Sequence, residues 1–247
     1  MTPPKVMIVT GGSRGIGAAT CRLAAARGYA VCVNFLRDQA AAENIIRELK
    51  TKAIAVQADV SVEAEVLRLF ETVDAKLGRV TALVNNAGIV ARQSRVEDMD
   101  AARLQRMFAT NVTGAILCAR EAVRRMSTRR GGAGGAIVNV SSAAARLGSP
   151  GEYVDYAASK GAIDTLTIGL AKEVAADGIR VNAVRPGFVH TGIHASGGEP
   201  DRLERLRGAI PLQRGGEPEE VARAILWLAS EEASYSTGAI LDVSGGR

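Results

Sequence analysis

Thr10-Gly11-Gly12-Ser13-Arg14-Gly15-Ile16-Gly17 follows an apolar run, Val6-Met7-Ile8-Val9, and opens onto Ala18-Ala19-Thr20 and a helical pattern that reaches Arg27. A buried strand, a glycine-rich turn and a helix N-terminus in that order make a phosphate cradle. Gly11 lets the chain turn sharply. Gly15 removes a Cβ that would block close approach of a pyrophosphate, and Gly17 lets helix and strand pack tightly. The helix start adds unpaired N–H groups and a partial positive charge. A glycine pattern alone is weak evidence, and the strand–turn–helix setting is what favours a ligand site over a plain turn.

Working outward, strand and helix patterns alternate to the end of the chain. Strands are expected at 5–10, 30–35, 53–57, 81–85, 136–141, 179–185 and 239–243. Helices are expected at 14–27, 38–50, 62–77, 97–109, 111–129, 154–177 and 218–229. Residues 187–216 read as irregular, with a short helical piece near 200–208. Repeated β-α units with right-handed crossovers imply an α/β fold: a single-domain, Rossmann-type, doubly wound parallel sheet of about seven strands with helices on both faces. Ligands then bind at the carboxyl ends of the strands.

A second motif lies far from the first. Tyr156-Ala157-Ala158-Ser159-Lys160 places Tyr and Lys four residues apart, on one helix face. A free Tyr titrates near about 10, so it needs help to move protons at neutral pH. A nearby ammonium lowers that value. Upstream, Ile137-Val138-Asn139-Val140-Ser141-Ser142 reads as a strand ending in hydroxyls that can bond a substrate oxygen. Alone, Tyr156 and Lys160 would read as surface helix residues. Together with the glycine turn they read as acid–base machinery.

These motifs resemble the short-chain dehydrogenase/reductase family, and the resemblance covers nearly the whole chain. Asp59 matches the acid after the third strand, and Asn85-Asn86-Ala87-Gly88 the segment after the fourth. Asn111, Ser142, Tyr156 and Lys160 match the catalytic set, and Pro186-Gly187 with Thr191 the segment beside the nicotinamide. The Ser142–Tyr156 spacing is one residue longer than usual, which leaves Ser141 as a lesser alternative. The resemblance implies a hydride transfer between a nicotinamide and a carbonyl or secondary alcohol. Tyr156 would be the general acid/base, and Ser142 would hold the substrate oxygen. Lys160 would lower the Tyr pKa and hold the ribose, and Asn111 would anchor a water. Cofactor contacts are expected from Gly11, Ser13, Arg14, Gly15, Ile16, Gly17, Asn34, Arg37, Asp59, Val60, Asn86, Ala87, Gly88, Tyr156, Lys160, Pro186, Gly187, Val189 and Thr191. No metal is implied.

The second strand ends Asn34-Phe35-Leu36-Arg37, with Phe35 where NAD-preferring relatives carry an acid. Arg14 and Arg37 offer charge-assisted contacts to a 2′-phosphate, so NADP(H) is favoured and NAD(H) remains open. Segment 187–216 is expected to cover the substrate, with Phe188, His190, Ile193 and His194 as contacts. Leu147, Glu152 and Tyr153 are expected on the opposite wall. The branch resembled contains sugar 1-dehydrogenases and 3-oxoacyl carrier-protein reductases. The latter activity is an alternative, and a non-catalytic dinucleotide-binding module is a lesser one, since all four catalytic positions are filled.

Composition agrees. The 247 residues are 47% hydrophobic but only 4% aromatic, so aliphatic side chains must fill the core. The net charge of +5 comes with dispersed arginines and no aromatic platform, which argues against nucleic acid. The one cluster, Arg124-Arg125 with Arg129-Arg130, suits a helix C-terminus. Cys21, Cys32 and Cys118 lack metal-ligand spacing and read as buried thiols in a reducing cytoplasm. No signal peptide or membrane run is legible, so a cytoplasmic protein is expected, with no membrane partner. Apolar positions on 111–129 (Ala115, Leu117, Ala119, Ala122), on 154–177 (Ala157, Ala162, Leu166, Leu170) and on the last strand predict a homotetramer.

Overall fold

The computed structural model describes residues 5–193, 197–199 and 201–247. Seven parallel strands form one sheet in the order β3-β2-β1-β4-β5-β6-β7. They are β1 (Val6–Val9), β2 (Ala30–Phe35), β3 (Ala53–Gln57), β4 (Ala82–Asn85), β5 (Gly135–Val140), β6 (Ile179–Pro186) and β7 (Ile240–Val243). Strand order reverses between β1 and β4, which pair directly through Met7–Ala82, Ile8–Leu83 and Val9–Val84. A ligand crevice belongs at the carboxyl ends of strands flanking such a reversal. The glycine turn follows β1, and Asn85-Asn86-Ala87-Gly88 runs off the end of β4.

The period-2 pleat sorts the apolar strand residues onto two faces. Met7, Val9, Val31, Val33 and Val84 pack with α1 (Gly15–Ala26), α2 (Gln39–Glu48) and α9 (Pro218–Ala229). Val6, Ile8, Cys32, Leu83 and Ile137 pack with α3 (Glu63–Lys76), α5 (Gly114–Met126) and α7 (Val154–Val174). Strands β1, β2, β4 and β5 are buried on both sides, which is why they read as continuous apolar runs. Small residues dominate the helix contacts, among them Ala18, Cys21 and Ala24 on α1 and Cys118, Ala119 and Ala122 on α5. Close helix–sheet approach replaces aromatic bulk.

Two departures from the sequence reading bear on the site. Helices expected at 97–109 and 111–129 are one path: α4 (Ala101–Phe108) runs through a π-helical turn at Ala109–Thr113 into α5. A Cβ on Gly114 would lie 2.8 Å from Val60 Cγ2, so the path crosses closely over the loop after β3. A short helix, α6 (Ala144–Leu147), stands where none was expected, between β5 and α7. The piece expected near 200–208 is α8 (Arg202–Leu206).

Ala115, Ala119, Ala122 and Ala157 face the chain's own core. Large apolar side chains left exposed on these elements include Phe108, Ile116 and Ile168 on α4, α5 and α7, and Trp227 and Leu241 on α9 and β7. Among the described residues, no helix is long and apolar enough to cross a membrane.

Candidate active site

One cleft of about 970 Å³ is lined by the glycine turn, the ends of β2, β4 and β5, and the segment after β6. Its floor is built first by backbone. Gly11 and Gly15 have φ of +61° and +53°, a region that favours glycine. A Cβ on Gly17 would lie 2.3 Å from the Gly11 carbonyl oxygen and 2.7 Å from Asn86 Nδ2. Gly17 therefore lets α1 pack on the turn itself, rather than on the strand as expected. A Cβ on Gly15 would meet Thr191 Cγ2 at 3.2 Å, so the segment after β6 closes over the turn. The N-cap, Arg14, makes no side-chain cap bond. The first N–H groups of α1 are thus available for an anionic ligand, and the cradle fits a dinucleotide's phosphates.

Asn34 and Asn86 stand where cofactor contacts were expected. Both line the cleft, but their side chains brace the turn. Asn34 is buried; its Oδ1 accepts from Gly11 N (3.2 Å), and its Nδ2 donates to the carbonyls of Val56 (3.2 Å) and Ala58 (3.0 Å). Asn86 Nδ2 donates to the carbonyls of Thr10 (2.9 Å) and Gly11 (3.0 Å). Their amides are already committed to backbone partners. The signal was present in the sequence: a polar residue at the end of a buried strand must find internal partners. Asp59 is similarly engaged, accepting from Ser61 N at 2.9 Å and Ser61 Oγ at 2.6 Å.

Arg14 and Arg37 are both exposed on the lining, while Phe35 is buried in the sheet's core. Asp38, which the sequence reading passed over, lines the same rim. Its carboxylate accepts from Ala41 N at 2.9 Å and caps α2. Arg124 and Arg125 stand in the last turn of α5, as a helix C-terminus favours, and three arginines of the cluster also form ion pairs. Arg124 and Arg125 reach Glu121 (each 2.8 Å), Arg125 also reaches Asp74 (2.6 Å), and Arg129 reaches Asp177 (2.8 Å).

Ser142, Tyr156 and Lys160 meet in this cleft, from the end of β5 and the first turns of α7. The Ser142 hydroxyl accepts from Ala144 N at 3.1 Å and lies near enough to Tyr156 to act on its phenol. Ser141 is buried, and its Oγ donates to the Lys160 carbonyl at 3.2 Å, which leaves Ser142 as the serine facing Tyr156. Burial holds the Tyr156 phenol above its ordinary value; the Ser142 hydroxyl and the field of Arg202 pull it down. Lys160, expected to lower Tyr156, donates its Nζ to the Val140 carbonyl at 2.7 Å and stands 5.7 Å from the Tyr156 ring centre. Burial pushes the Lys160 ammonium down to about 8, with Asp164 opposing.

Asn111 sits within the π-turn, a distortion that re-aims a helix side chain. Its Nδ2 donates to the Ile89 carbonyl and Ser159 Oγ, both at 3.0 Å, and its Oδ1 accepts from Ile89 N at 2.8 Å. A Cβ on Gly88 would lie 3.5 Å from both Asn111 Oδ1 and Lys160 Nζ, so these groups share one corner. The start of α7 is fixed by a buried ion pair, Arg103 Nε to Asp155 Oδ2 at 2.7 Å. Asp155 Oδ1 also accepts from Tyr156 N at 2.9 Å.

The segment after β6 brings Pro186, Gly187, Phe188, Val189, Thr191 and Ile193 to the cleft. Leu147, Glu152 and Tyr153 line it as expected. His190 does not: its ring is exposed and turned toward Glu217, with Nε2 3.8 Å from Oε1. Val189 is the buried residue of that pair, because Val189 bridges to Gly216 and alternation turns its neighbour outward. His194 lies outside the described residues. Two residues the sequence reading missed, Arg202 and Arg247, also line the cleft.

The sheet reversal, the glycine turn and this Ser-Tyr-Lys corner define an oxidoreductase of alcohol and carbonyl groups. A family model described as enoyl-(acyl carrier protein) reductase matches residues 11–247. The chain is 58% identical over 245 residues to the uncharacterized oxidoreductase YgfF of Escherichia coli, covering 98% of this chain and 99% of that protein. It is 40% identical to cis-4-hydroxycyclohexanecarboxylate dehydrogenase of Sinomonas cyclohexanicum, covering 98% and 96%. It is 39% identical to 3-oxoacyl-[acyl-carrier-protein] reductase of Synechocystis, again covering 98% and 96%. The chain belongs to the short-chain dehydrogenase/reductase family, whose cofactor is a nicotinamide dinucleotide.

Proposed function

We propose that the protein is an NADP(H)-preferring reductase/dehydrogenase of a small carbonyl or secondary alcohol, with Tyr156 as general acid/base. The observation that carries this reading is the meeting of Ser142, Tyr156 and Lys160 beside an open helix N-terminus in one cleft. When bound, the nicotinamide dinucleotide supplies or accepts the hydride. The turn from Gly11 to Gly17, with Asp59, Val60, Ala87 and Gly88, would hold it, and Pro186 to Thr191 would flank the nicotinamide. Ser142 holds the substrate oxygen. Tyr156, kept protonated by burial, gives it a proton in reduction and takes one in oxidation. Lys160 and Asn111 form the polar corner behind Tyr156. One domain carries both sites, and 187–216 covers the substrate.

The NADP preference rests on Arg14 and Arg37 exposed at the rim and on Phe35 where an acid would repel a 2′-phosphate. Asp38 opposes it weakly, since its carboxylate already caps α2. Arg14→Ala should weaken NADPH about 10- to 100-fold more than NADH, the worth of one charge-assisted hydrogen bond. Equal losses in parallel titrations would remove Arg14 from this role. The carrier-protein alternative draws less support, because Glu121, Asp74 and Asp177 pair with three of the four arginines of the basic cluster that would dock an acidic carrier. A homotetramer is supported by two exposed apolar surfaces, one on α4, α5 and α7 and one on α9 and β7. The reading is tested with a panel of ketones, aldehydes and keto esters run with both cofactors at the nicotinamide absorbance. Turnover with NADPH supports it, and absence of turnover across the panel despite cofactor binding contradicts it.

A further inference from the structure

Arg202 and Arg247 line the cleft with Tyr156, and the proton transfer proposed above uses neither. They converge on one aromatic ring: Arg202 Cζ lies 5.5 Å and Arg247 Cζ 4.8 Å from the centre of Phe188. Arg202 also stacks at 4.6 Å on Tyr153. Its charge is compensated by an ion pair with Glu152 and by Glu199, whose Oε2 is 3.7 Å away. Arg247 differs. Among the described residues it forms no ion pair, and its Nη1 is buried without a hydrogen-bond partner. A buried guanidinium N–H without an acceptor is costly until one arrives.

The position of Arg247 is built by its surroundings. Its backbone oxygen accepts from Ser244 Oγ at 2.6 Å and from Arg146 Nη2 at 3.1 Å. Gly245 and Gly246 hold φ of +67° and +93°, and Leu212 N donates to the Gly245 carbonyl at 3.1 Å. A Cβ on Gly245 would come within 2.9 Å of Ile210 Cγ2, and one on Gly246 within 3.0 Å of Pro211 Cβ. The segment after β7 is thus wrapped against 210–212, which sets Arg247 on the cleft wall.

From this geometry we infer that the substrate is an oxo acid or hydroxy acid whose carboxylate binds Arg247, beside Arg202. This rests on the oxidoreductase reading above and gives it a substrate class. Guanidinium geometry matches a carboxylate through paired hydrogen bonds. Of these two arginines, Arg247 alone has no ion pair among the described residues, and Glu152 lines the same cleft, so a singly charged carboxylate fits and a phosphate dianion would carry surplus charge. Phe188, Tyr153, Leu147 and Leu206 supply an apolar wall for the carbon skeleton. The carboxylate is unchanged by the reaction. In reduction the carbonyl carbon gains a hydride from the reduced dinucleotide, its oxygen gains the Tyr156 proton, and solvent reprotonates Tyr156.

The test uses the cofactor-loaded protein and acid–amide pairs: 4-oxocyclohexanecarboxylate, 3-oxobutanoate and 4-oxopentanoate, each against its carboxamide. Calorimetry reads binding, and the nicotinamide absorbance reads turnover. Wild type should favour the acid of at least one pair by about 10- to 100-fold in Kd and kcat/KM, the worth of one charge-assisted contact. Arg247→Gln should collapse that ratio toward unity, and Arg247→Lys should restore part of it. Equal binding of acid and amide in every pair, no acid binding, or a ratio that survives Arg247→Gln overturns the inference. Acid binding that depends on Arg247 without turnover of any compound would uphold the inference about the anion site and count against the oxidoreductase reading alone.

Discussion

Gly17→Ala separates the two jobs of the glycine turn. The new methyl would lie 2.3 Å from the Gly11 carbonyl oxygen, 3.0 Å from the Gly11 carbonyl carbon and 2.7 Å from Asn86 Nδ2. Two of these atoms are backbone, so no rotamer change relieves the contact. The turn must shift by roughly 1 Å to reach ordinary packing distances. Overpacking of this kind costs about 1–3 kcal/mol, while alanine regains about 1 kcal/mol of helix propensity. Net stability should therefore fall by no more than about 2 kcal/mol, and the protein should remain folded in urea titrations. Cofactor affinity should suffer more. The shift carries the Gly11 peptide away from the N–H groups of α1 that would share the phosphates. Losing one or two charge-assisted hydrogen bonds, each about 1.5–3 kcal/mol, weakens binding at least about tenfold. Nicotinamide fluorescence titration measures it. A dissociation constant within about twofold of wild type, in a protein destabilised as expected, would refute the reasoning that this turn is the phosphate cradle.

Two further outcomes follow from the same geometry. Lys160 titrates near 8 because burial penalises its ammonium, so kcat/KM for carbonyl reduction should decline as pH rises through about 8 and the charge behind Tyr156 is lost. Below that value the lysine is charged and the rate should level off; a profile flat across it would contradict the role. Light scattering at micromolar concentration should give a mass near four times the 25.8 kDa chain, and a monomer would show that Phe108, Ile116 and Ile168 need no partner.

Local sequence made the frame legible because its signals are short-range. Apolar runs of four to six residues, each followed by glycine or a helical pattern, mark β1, β2, β4 and β5 closely. The turn from Thr10 to Gly17 and the pair Tyr156 and Lys160 are contiguous, so their spacing survives folding unchanged. What sequence hid depends on where side chains turn after folding. Lys160 has the right spacing to face Tyr156, yet its ammonium settles on the Val140 carbonyl. Asn34 and Asn86 line the cleft but spend their amides on backbone partners. Asn111 reaches its place through a π-turn that no periodicity announces. Arg202 and Arg247 meet only because α8 and the segment after β7 both fold back onto Phe188.

The central claim is that Tyr156 moves the proton, and Tyr156→Phe tests it most directly. The substitution keeps the ring and removes only the phenolic hydroxyl beside Ser142. With a carbonyl substrate the wild type reduces, single-turnover measurements at the nicotinamide absorbance should show the rate falling by about 10²- to 10⁴-fold, the usual worth of general acid–base catalysis. Cofactor affinity should stay nearly unchanged. A variant that keeps more than about a tenth of the wild-type rate, well short of that loss, would contradict the account.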